Sequence, residues 1–247
     1  MTDKELLRSR FSKASYCYDD NAVVQKHMVE RLLFLLQLHG QTLGNRIFEV
    51  GCGTGFLTKE ILKYYSPEEY FSNDICDYAI EHANVKFIPG DAEKIEYPKD
   101  LSAVVSSSCV QWFENIVSFF DKVHLVLQNG GILLFSTFGE KNFTQIRTIT
   151  QQSLSYYSTM EIKEMLSEKF EIVCIEEEIN DIYFSSPKDI LLHFRHTGVN
   201  SLQNKRWTKN DYIQFCDSYT QLYGSTKRFP LTYNPIYVLA KKIEYER

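Results

Sequence analysis

The chain has 247 residues, 44% of them hydrophobic, and can therefore bury one large core without disulfides or metal ions. Its formal net charge of −5 argues against a general nucleic-acid binder, because duplex binding normally requires a basic face. The polar N-terminus lacks a signal-peptide pattern, and no run approaches the roughly 20 apolar residues that span a bilayer. We therefore expect one cytoplasmic domain, 1–247, that binds neither nucleic acid nor a membrane.

The cysteines and histidines show no metal-binding pattern. Six cysteines are scattered along the chain without C-x-x-C or zinc spacing, and we expect them to be reduced thiols. His193 and His196 lie three residues apart in a predicted helix and could share a face, but no further ligands accompany them. We predict no metal site.

The first predicted element is a helix over 22–38, in which apolar residues recur at helical spacing. With the residues before it, this helix forms a predicted helical cover, 1–40. An apolar strand follows and breaks into closely spaced glycines before an amphipathic helix that runs to about residue 64. Strand-like and helix-like segments then alternate to about residue 140, which indicates an α/β fold with a doubly wound parallel sheet.

The turn after the first strand is the most informative segment. Gly51, Gly53 and Gly55 allow backbone conformations that side chains forbid, and the next helix can present free N–H groups to a polar ligand. Phe56 stands where the dinucleotide fingerprint needs a third small residue, so NAD or FAD fits less well. The glycines alone could form a structural turn, but Glu49 at the strand end is hard to explain that way. The pattern E-x-G-x-G-x-G resembles class I S-adenosylmethionine (SAM) methyltransferases.

This resemblance implies a seven-stranded, Rossmann-like sheet with a SAM-binding core at 41–140. After the second strand, Asp74 supplies the carboxylate that the ribose diol needs, and Ile75 could pack on the adenine. After the third strand, Asp91 stands where the adenine amino group needs an acceptor. Each aspartate alone could be an ordinary turn or helix-cap residue, but the ordered set is much less expected by chance. Ser102 replaces the acidic residue that usually opens the fourth strand, which we interpret as a structural substitution.

The end of the sheet is predicted from turn signals and alternation. A helix over 118–127 should close at the Asn-Gly-Gly turn 129–131, before a strongly apolar strand at 132–138. The terminal strand, 231–242, is expected to insert antiparallel, as in the class that the chain resembles.

Between these strands we predict accessory and lid elements at 142–228. Residues 142–167 are polar and helical in pattern, with a capping box that begins at Ser158. A core strand is expected near 170–179. Pro187 should begin the first of two lid helices, which flank a polar, basic turn. The lid therefore lies before the C-terminal strand in the chain.

Three stretches outside the glycine loop narrow the resemblance further. The segment 11–19 reads Phe-Ser-Lys-Ala-Ser-Tyr-Cys-Tyr-Asp, Gln111 and Trp112 follow the fourth strand, and 230–233 reads Pro-Leu-Thr-Tyr. Together they resemble the malonyl-acyl-carrier-protein O-methyltransferases of biotin synthesis, and the resemblance covers about 10–242. The glycine motif is specific only to the superfamily, whereas the Gln-Trp and Pro-Leu-Thr-Tyr motifs are more diagnostic.

Two departures from this family affect the assignment of residues. Serines stand at 106 and 107, where the family often has Ser-Asn before the Gln-Trp motif. An extra residue, Cys17, leaves both Tyr16 and Tyr18 as candidates for the family tyrosine; we prefer Tyr18 because Asp19 follows it. The predicted cofactor-binding residues are Gln25, Glu49, Gly51, Cys52, Gly53, Gly55, Asp74, Ile75, Asp91, Ala92 and Ser107.

The resemblance implies methyl transfer from SAM to the free carboxylate of a malonyl thioester, whose methyl ester then enters pimeloyl and biotin synthesis. A carboxylate is ionised at neutral pH and needs no general base, so positioning and desolvation are the tasks of the enzyme. Arg147 and Arg195 are the predicted contacts of the substrate carboxylate, although either could be a solvated helix arginine. Tyr18, Gln111 and Trp112 complete the predicted catalytic set.

The acyl-carrier protein implied as a partner is typically acidic, which favours a basic docking rim. Lys205, Arg206 and Lys209 form one candidate patch, and Lys227 with Arg228 another. Two other functions stay open: a SAM-dependent methyltransferase for a different small carboxylate or a metabolite hydroxyl, and a non-catalytic SAM-binding partner protein. Malonyl-CoA is an alternative substrate to malonyl-acyl-carrier protein.

Overall fold

The computed structural model describes residues 3–78, 84–199, 207–224 and 228–244. At its centre is a seven-stranded sheet with the strand order β3-β2-β1-β4-β5-β9-β6. Its strands are β1 Arg46–Val50, β2 Glu69–Asp74, β3 Val85–Pro89, β4 Leu101–Ser107, β5 Leu127–Phe138, β6 Phe170–Glu177 and β9 Pro235–Lys242. A separate two-stranded sheet pairs β7 Asn180–Phe184 with β8 Phe229–Tyr233. The helices are α1 Lys4–Asn21, α2 Val23–Leu38, α3 Phe56–Tyr64, α4 Ile116–Val126, α5 Thr144–Thr150, α6 Thr159–Leu166, α7 Pro187–His196 and α8 Lys209–Tyr223.

The sheet confirms the predicted doubly wound fold. Strands β1 to β5 pair in parallel, whereas β9 runs antiparallel between β5 and β6. The chain winds outward from β1 through β2 to β3 and then returns to the other side of β1 with β4. In such a sheet a crevice opens at the carboxyl ends of the strands where the winding reverses, next to β1 and β4.

Hydrophobic residues pack on both faces of this sheet. Along β4, Ala103 and Val105 face one core with α2, α3 and the lid, whereas Val104 faces the other core with α4 and α6. This alternation follows the two-residue period of a strand, and it explains why consecutive residues are apolar where a strand is covered on both faces, as at 103–105 and 132–135. Among the described residues, no helix combines the length and apolarity that crossing a membrane requires.

The predicted terminal strand is two strands in the structure. β8 ends at Tyr233 and β9 begins at Pro235, so the chain changes sheets at Asn234. The Asn234 side chain is fully buried; its Oδ1 accepts the Lys141 N–H at 2.9 Å, and its Nδ2 donates to Glu177 Oε1 at 2.9 Å. Asn234 Nδ2 also donates to the Glu178 carbonyl at 2.8 Å, so this side chain bonds both a backbone N–H and a backbone carbonyl where the strand pairing stops. Strand alternation alone does not reveal this role.

Several observed helix boundaries differ from the predicted ones because of local hydrogen bonds and backbone conformation. The region 142–167, predicted to be helical, contains two helices, α5 and α6. A non-helical stretch separates them, and it begins at Gln151, whose backbone is left-handed. The capping box at Ser158 is confirmed. α4 begins two residues earlier than predicted, because Asn115 caps it by accepting the Ser118 N–H, and ends at Val126.

The first helix, α1, was not delineated within the predicted cover at 1–40. Asp3 caps it by accepting the Leu6 N–H at 2.9 Å, and the helix packs against α7. Of its side chains only Leu7 and Ala14 are fully buried, so its apolar stripe is too weak to predict from the sequence. The helix predicted over 22–38 is present as α2.

Candidate active site

The glycine loop connects β1 to α3, and its three glycines all have positive φ. The angles are 74° at Gly51, 53° at Gly53 and 80° at Gly55, which is the N-cap of α3. A Cβ at Gly51 would lie 2.3 Å from Cys109 Sγ, so this position also needs glycine for close packing. A Cβ at Gly53 would meet nothing within 4 Å, because this residue faces open space. The loop therefore borders a cavity.

That cavity lies at the carboxyl ends of β1, β2 and β4 and contains about 1040 Å³ of space. We call it the cofactor cavity. The predicted cofactor-binding residues that line it are Gln25, Glu49, Gly51, Cys52, Gly53, Asp74, Ile75, Asp91, Ala92 and Ser107. Gly55 does not line the cavity, since it stands behind the loop as the helix cap.

Glu49 supplies a buried negative charge at this cavity. Its Oε2 accepts hydrogen bonds from Thr58 Oγ1 at 2.5 Å and Tyr70 OH at 2.6 Å. Its Oε1 is buried without a hydrogen-bond partner among the described residues. Burial raises the pKa of Glu49 to about 7 in spite of the two bonds. An unpaired buried oxygen fits a cationic ligand group such as the amino-acid ammonium of SAM.

Asp74 serves the loop as well as the cavity. Its Oδ2 accepts the Gly53 N–H at 2.9 Å, and its Oδ1 accepts the Cys76 N–H at 2.8 Å. Burial raises its pKa although both backbone bonds favour the charged form. Each carboxylate oxygen has a second lone pair, so the group can still accept from a ribose diol. The sequence predicted Asp74 as a hydrogen-bond acceptor for the ligand but not its hydrogen bond to the Gly53 N–H in the glycine loop.

Polar contacts hold both ends of α1 across the cofactor cavity. At one end Lys4 Nζ lies 2.8 Å from Glu93 Oε2 and 3.4 Å from Asp91 Oδ1. At the other end Thr54 Oγ1 donates to Asp19 Oδ1 at 2.6 Å. The predicted adenine acceptor is thus already paired in part with a cation from α1. Sequence reasoning missed Lys4 because its partners lie 87 and 89 residues away.

A second cavity adjoins the first, and we call it the substrate cavity. Phe11, Tyr18, Gln25, Ser108 and Trp112 line both cavities. The remaining wall comes from Gln111, from the end of β5, from the segments before α5 and α6, from the lid after α7 and from the end of β8. A group bound here would therefore meet a ligand in the cofactor cavity beside Tyr18 and Trp112.

Three predicted catalytic residues line the substrate cavity. Tyr18 lines both cavities, whereas Tyr16 is 87% exposed and lines neither. Of the two candidates for the family tyrosine, Tyr18 is therefore the one that lies at the site. Gln111 donates to the Ser108 carbonyl at 2.7 Å, and its buried Oε1 has no partner among the described residues. Trp112 is buried and meets the ring of Phe11 edge-on at 5.8 Å, so it also packs the wall.

The two predicted arginines do not line either cavity, and this corrects their expected contact with the substrate carboxylate. Arg195 is exposed in the last turn of α7, because that helix turns Ile190 and Phe194 into the core and Arg195 away from it. Arg147 is exposed on α5, where its Nη1 donates to the Glu140 carbonyl at 2.9 Å.

The predicted docking patch is described only in part. Lys205 and Arg206 lie outside the described residues, as does Lys227. Lys209 is exposed at the first turn of α8. The guanidinium of Arg228 lies 4.8 Å from the centre of the Tyr183 ring. Within the described part of the chain, no three His, Cys, Asp or Glu side chains gather around a possible metal position.

Two polar pairs at the substrate cavity escaped sequence reasoning. His193 Nε2 lies 2.6 Å from Tyr233 OH, and burial lowers the pKa of His193 to about 4, so its imidazole is neutral. Asn142 Nδ2 donates to Tyr156 OH at 2.9 Å. Of these four residues, only Tyr233 carried a signal, as the last residue of the Pro-Leu-Thr-Tyr motif.

The sheet, the glycine loop and the carboxylates at successive strand ends define a class I SAM-dependent methyltransferase, with SAM as its cofactor. A family model described as a methyltransferase domain matches residues 48–135. A malonyl-[acyl-carrier protein] O-methyltransferase of Bacteroides thetaiotaomicron is 35% identical over 257 residues, covering 97% of this chain and 98% of that protein. The chain belongs to the malonyl-[acyl-carrier protein] O-methyltransferase family.

Solved structures support the fold independently. The YcgJ protein of Bacillus subtilis superimposes with a TM-score of 0.60 at 14% identity, over 87% of this chain and 98% of its own. Phosphoethanolamine N-methyltransferase 2 of Haemonchus contortus, solved with S-adenosylhomocysteine, gives a TM-score of 0.55 at 18% identity. That match covers 87% of this chain and 53% of the Haemonchus chain.

Proposed function

We propose that this protein methylates the free carboxylate of malonyl-acyl-carrier protein and so makes the malonyl methyl ester used in pimeloyl and biotin synthesis. The observation that carries this proposal is the full-length relationship to the Bacteroides enzyme. The paired cavities agree with it, because the substrate cavity opens onto the cofactor cavity beside Tyr18. Esterification hides the charge of the malonyl group, so that the product can be extended as an ordinary acyl chain.

The reaction needs positioning rather than acid–base chemistry. The residues of the cofactor cavity would hold SAM, which would supply an electrophilic methyl group to a carboxylate oxygen of the substrate, with the carbon–sulfur electron pair left on sulfur. No proton moves, since the carboxylate is already ionised at neutral pH. Burial raises the pKa of Tyr18, so its phenol acts as a hydrogen-bond donor and not as a base. Phe11 and Trp112 exclude water at the junction of the cavities.

The cofactor residues take distinct roles in this proposal. Glu49 binds the ammonium group through its free oxygen, and Asp74 accepts from the ribose hydroxyls. Asp91 accepts from the adenine amino group, with Ile75 against the adenine face. The other lining residues shape the wall: Gln25, Gly51, Cys52, Gly53, Ala92 and Ser107. Gly55 starts the helix whose free N–H groups lie behind the loop.

The carrier protein docks on the lid in this proposal. Lys209 is the described member of the basic patch with Lys205 and Arg206. The exposed Arg147 joins the rim, because its charge acts on Tyr156 in the wall of the substrate cavity. Basic side chains near the entrance would attract an acidic carrier and shorten its search for the site.

A mass measurement tests the proposed function. Purified protein is incubated with SAM and malonyl-carrier protein, malonyl-CoA or free malonate, and the products are analysed by mass spectrometry. We expect a methyl ester on malonyl-carrier protein. SAM binding with methylation of another carboxylate or hydroxyl, but no malonyl ester, would indicate a methyltransferase for a different substrate. SAM binding without methylation of any acceptor would indicate a non-catalytic SAM-binding partner protein.

A further inference from the structure

Among the residues that the structure describes, the wall of the substrate cavity contains no lysine, arginine or histidine, although the proposed substrate is an anion. The polar groups of this described wall are neutral phenols, amides and hydroxyls, set among rings such as Phe138 and Phe143. This part of the wall therefore offers a carboxylate only neutral hydrogen-bond donors.

One phenol has its proton free because of a fixed hydrogen-bond network. The Asn234 N–H donates at 3.2 Å to Asn142 Oδ1, which identifies that atom as the oxygen of the amide. The opposite atom, Asn142 Nδ2, must then donate to Tyr156 OH, at 2.9 Å. The phenol oxygen of Tyr156 is thus an acceptor, and its own proton engages no acceptor in the described part of the chain.

The surroundings keep this proton in place. Burial raises the pKa of Tyr156 to about 12, against smaller opposing effects of Asn142 and Arg147, so the phenol is not ionised at neutral pH. Asn142 is itself 1% exposed and held by Asn234, so it has little freedom to turn away. Tyr156 and Leu154 both line the substrate cavity. Tyr156 therefore combines a free phenol proton with a rigid support in the wall of the substrate cavity.

We propose that Tyr156 binds the substrate carboxylate through its phenol proton and that Asn142 is the positioning residue that directs this proton into the cavity. This inference rests on the proposed function and replaces the predicted arginine contact. The substrate loses its negative charge as the ester forms, so a cation would stabilise the bound substrate more than the transition state. One neutral donor holds one oxygen and leaves the other oxygen nucleophilic.

The test compares Y156F with Y157F. Tyr157 is the next residue, but it packs against the opposite core cluster and does not line the cavity, so it is a matched control. We expect Y156F to lower kcat/KM for the malonyl substrate about 10- to 100-fold, with unchanged SAM affinity by calorimetry. Y157F should stay within about twofold of wild type. Near-normal kcat/KM in Y156F would overturn the proposal.

A double-mutant cycle tests the role of Asn142. N142A should lower kcat/KM in the wild-type background but cause little further loss in Y156F, while SAM affinity should stay unchanged in all four proteins, because Asn142 and Tyr156 do not line the cofactor cavity. A full further loss of kcat/KM in Y156F would overturn the positioning role. Wild-type enzyme with malonyl-carrier protein is measured in parallel, because inactivity there contradicts the proposed function and not this assignment.

Discussion

Glu49 lines the cofactor cavity at the end of β1, where both of its bonded donors share one oxygen and the other oxygen is buried without a partner among the described residues. Burial raises its pKa to about 7, above the value of an unfolded glutamate. The free protein is therefore stabilised by the protonated form at acidic pH and loses that stability as the pH rises through about 7. The nearby charge of Asp74 acts in the same direction.

This titration should control SAM affinity. If the ammonium of SAM requires ionised Glu49, affinity should fall as the pH drops below about 7, approaching tenfold per pH unit. E49Q should bind SAM more weakly and with a flatter pH dependence, because the titrating charge is gone. Calorimetric titrations from about pH 6 to about pH 8 measure both profiles. Parallel profiles for the two proteins would assign the titration to another group.

Asp74 combines a ligand contact with a structural one. D74A removes the proposed ribose acceptor and the bond to the Gly53 N–H, so SAM should bind one to two decades more weakly, from about 1.5–3 kcal/mol of charged hydrogen bonding. D77A is the control, since Asp77 is exposed three residues later. Calorimetry checks the pair, and equal affinities in the two variants would place the ribose elsewhere.

The two neighbouring tyrosines of α1 offer a second matched pair. Y18F removes a phenol that lines both cavities, whereas Y16F removes one that is 87% exposed. We expect Y18F to lower kcat/KM for the malonyl substrate by about tenfold and Y16F to leave it unchanged. Steady-state kinetics decide the matter. A larger loss in Y16F would reverse the assignment of the family tyrosine.

At the scale of elements, α1 is the most informative. It lies across the cofactor cavity and is held by Lys4 at one end and Asp19 at the other, while Leu7 and Ala14 provide its only fully buried side chains. A helix with so few buried residues depends on its end contacts. Release of SAM on the α1 side of the cavity therefore requires these end contacts to break.

Removing one end contact should loosen the cover. K4M breaks the partly buried pairs with Glu93 and Asp91, and we expect SAM to dissociate about fivefold faster, which corresponds to about 1 kcal/mol. K13M is the control, because Lys13 is exposed on the same helix. Stopped-flow fluorescence of Trp112, which lines the cavity, reports the rate. Identical rates in K4M and wild type would show that α1 opens without breaking this contact.

At the scale of the whole molecule, the negative net charge and the acidic carrier make docking depend on local basic surface. K209E should raise KM for malonyl-carrier protein in a salt-sensitive way and leave kcat for a small malonyl thioester unchanged. K163E is the control: Lys163 is exposed on α6, which packs on the other side of the sheet from the lid. Equal effects of both variants would indicate net charge rather than a docking site.

The amino-acid sequence determined the cofactor half of this protein. Gly51, Gly53, Asp74 and Asp91 follow three successive strands, and a parallel sheet brings the carboxyl ends of its strands together. The residues at each strand end could therefore be assigned from local sequence, and the order of the strands in the sheet brings them together in one cavity. The family motifs around Tyr18 and Trp112 extended this interpretation to the edge of the substrate cavity.

Only the tertiary structure decided which side chains face the substrate. Asn142, Tyr156 and Asn234 come from three separate segments, and the bond that fixes the Asn142 amide joins residues 92 positions apart. Arg195 was predicted to contact the substrate, but the packing of α7 against α1, α8 and β7 turns Phe194 inward instead. The inward face of α7 follows from long-range packing, which local spacing does not encode.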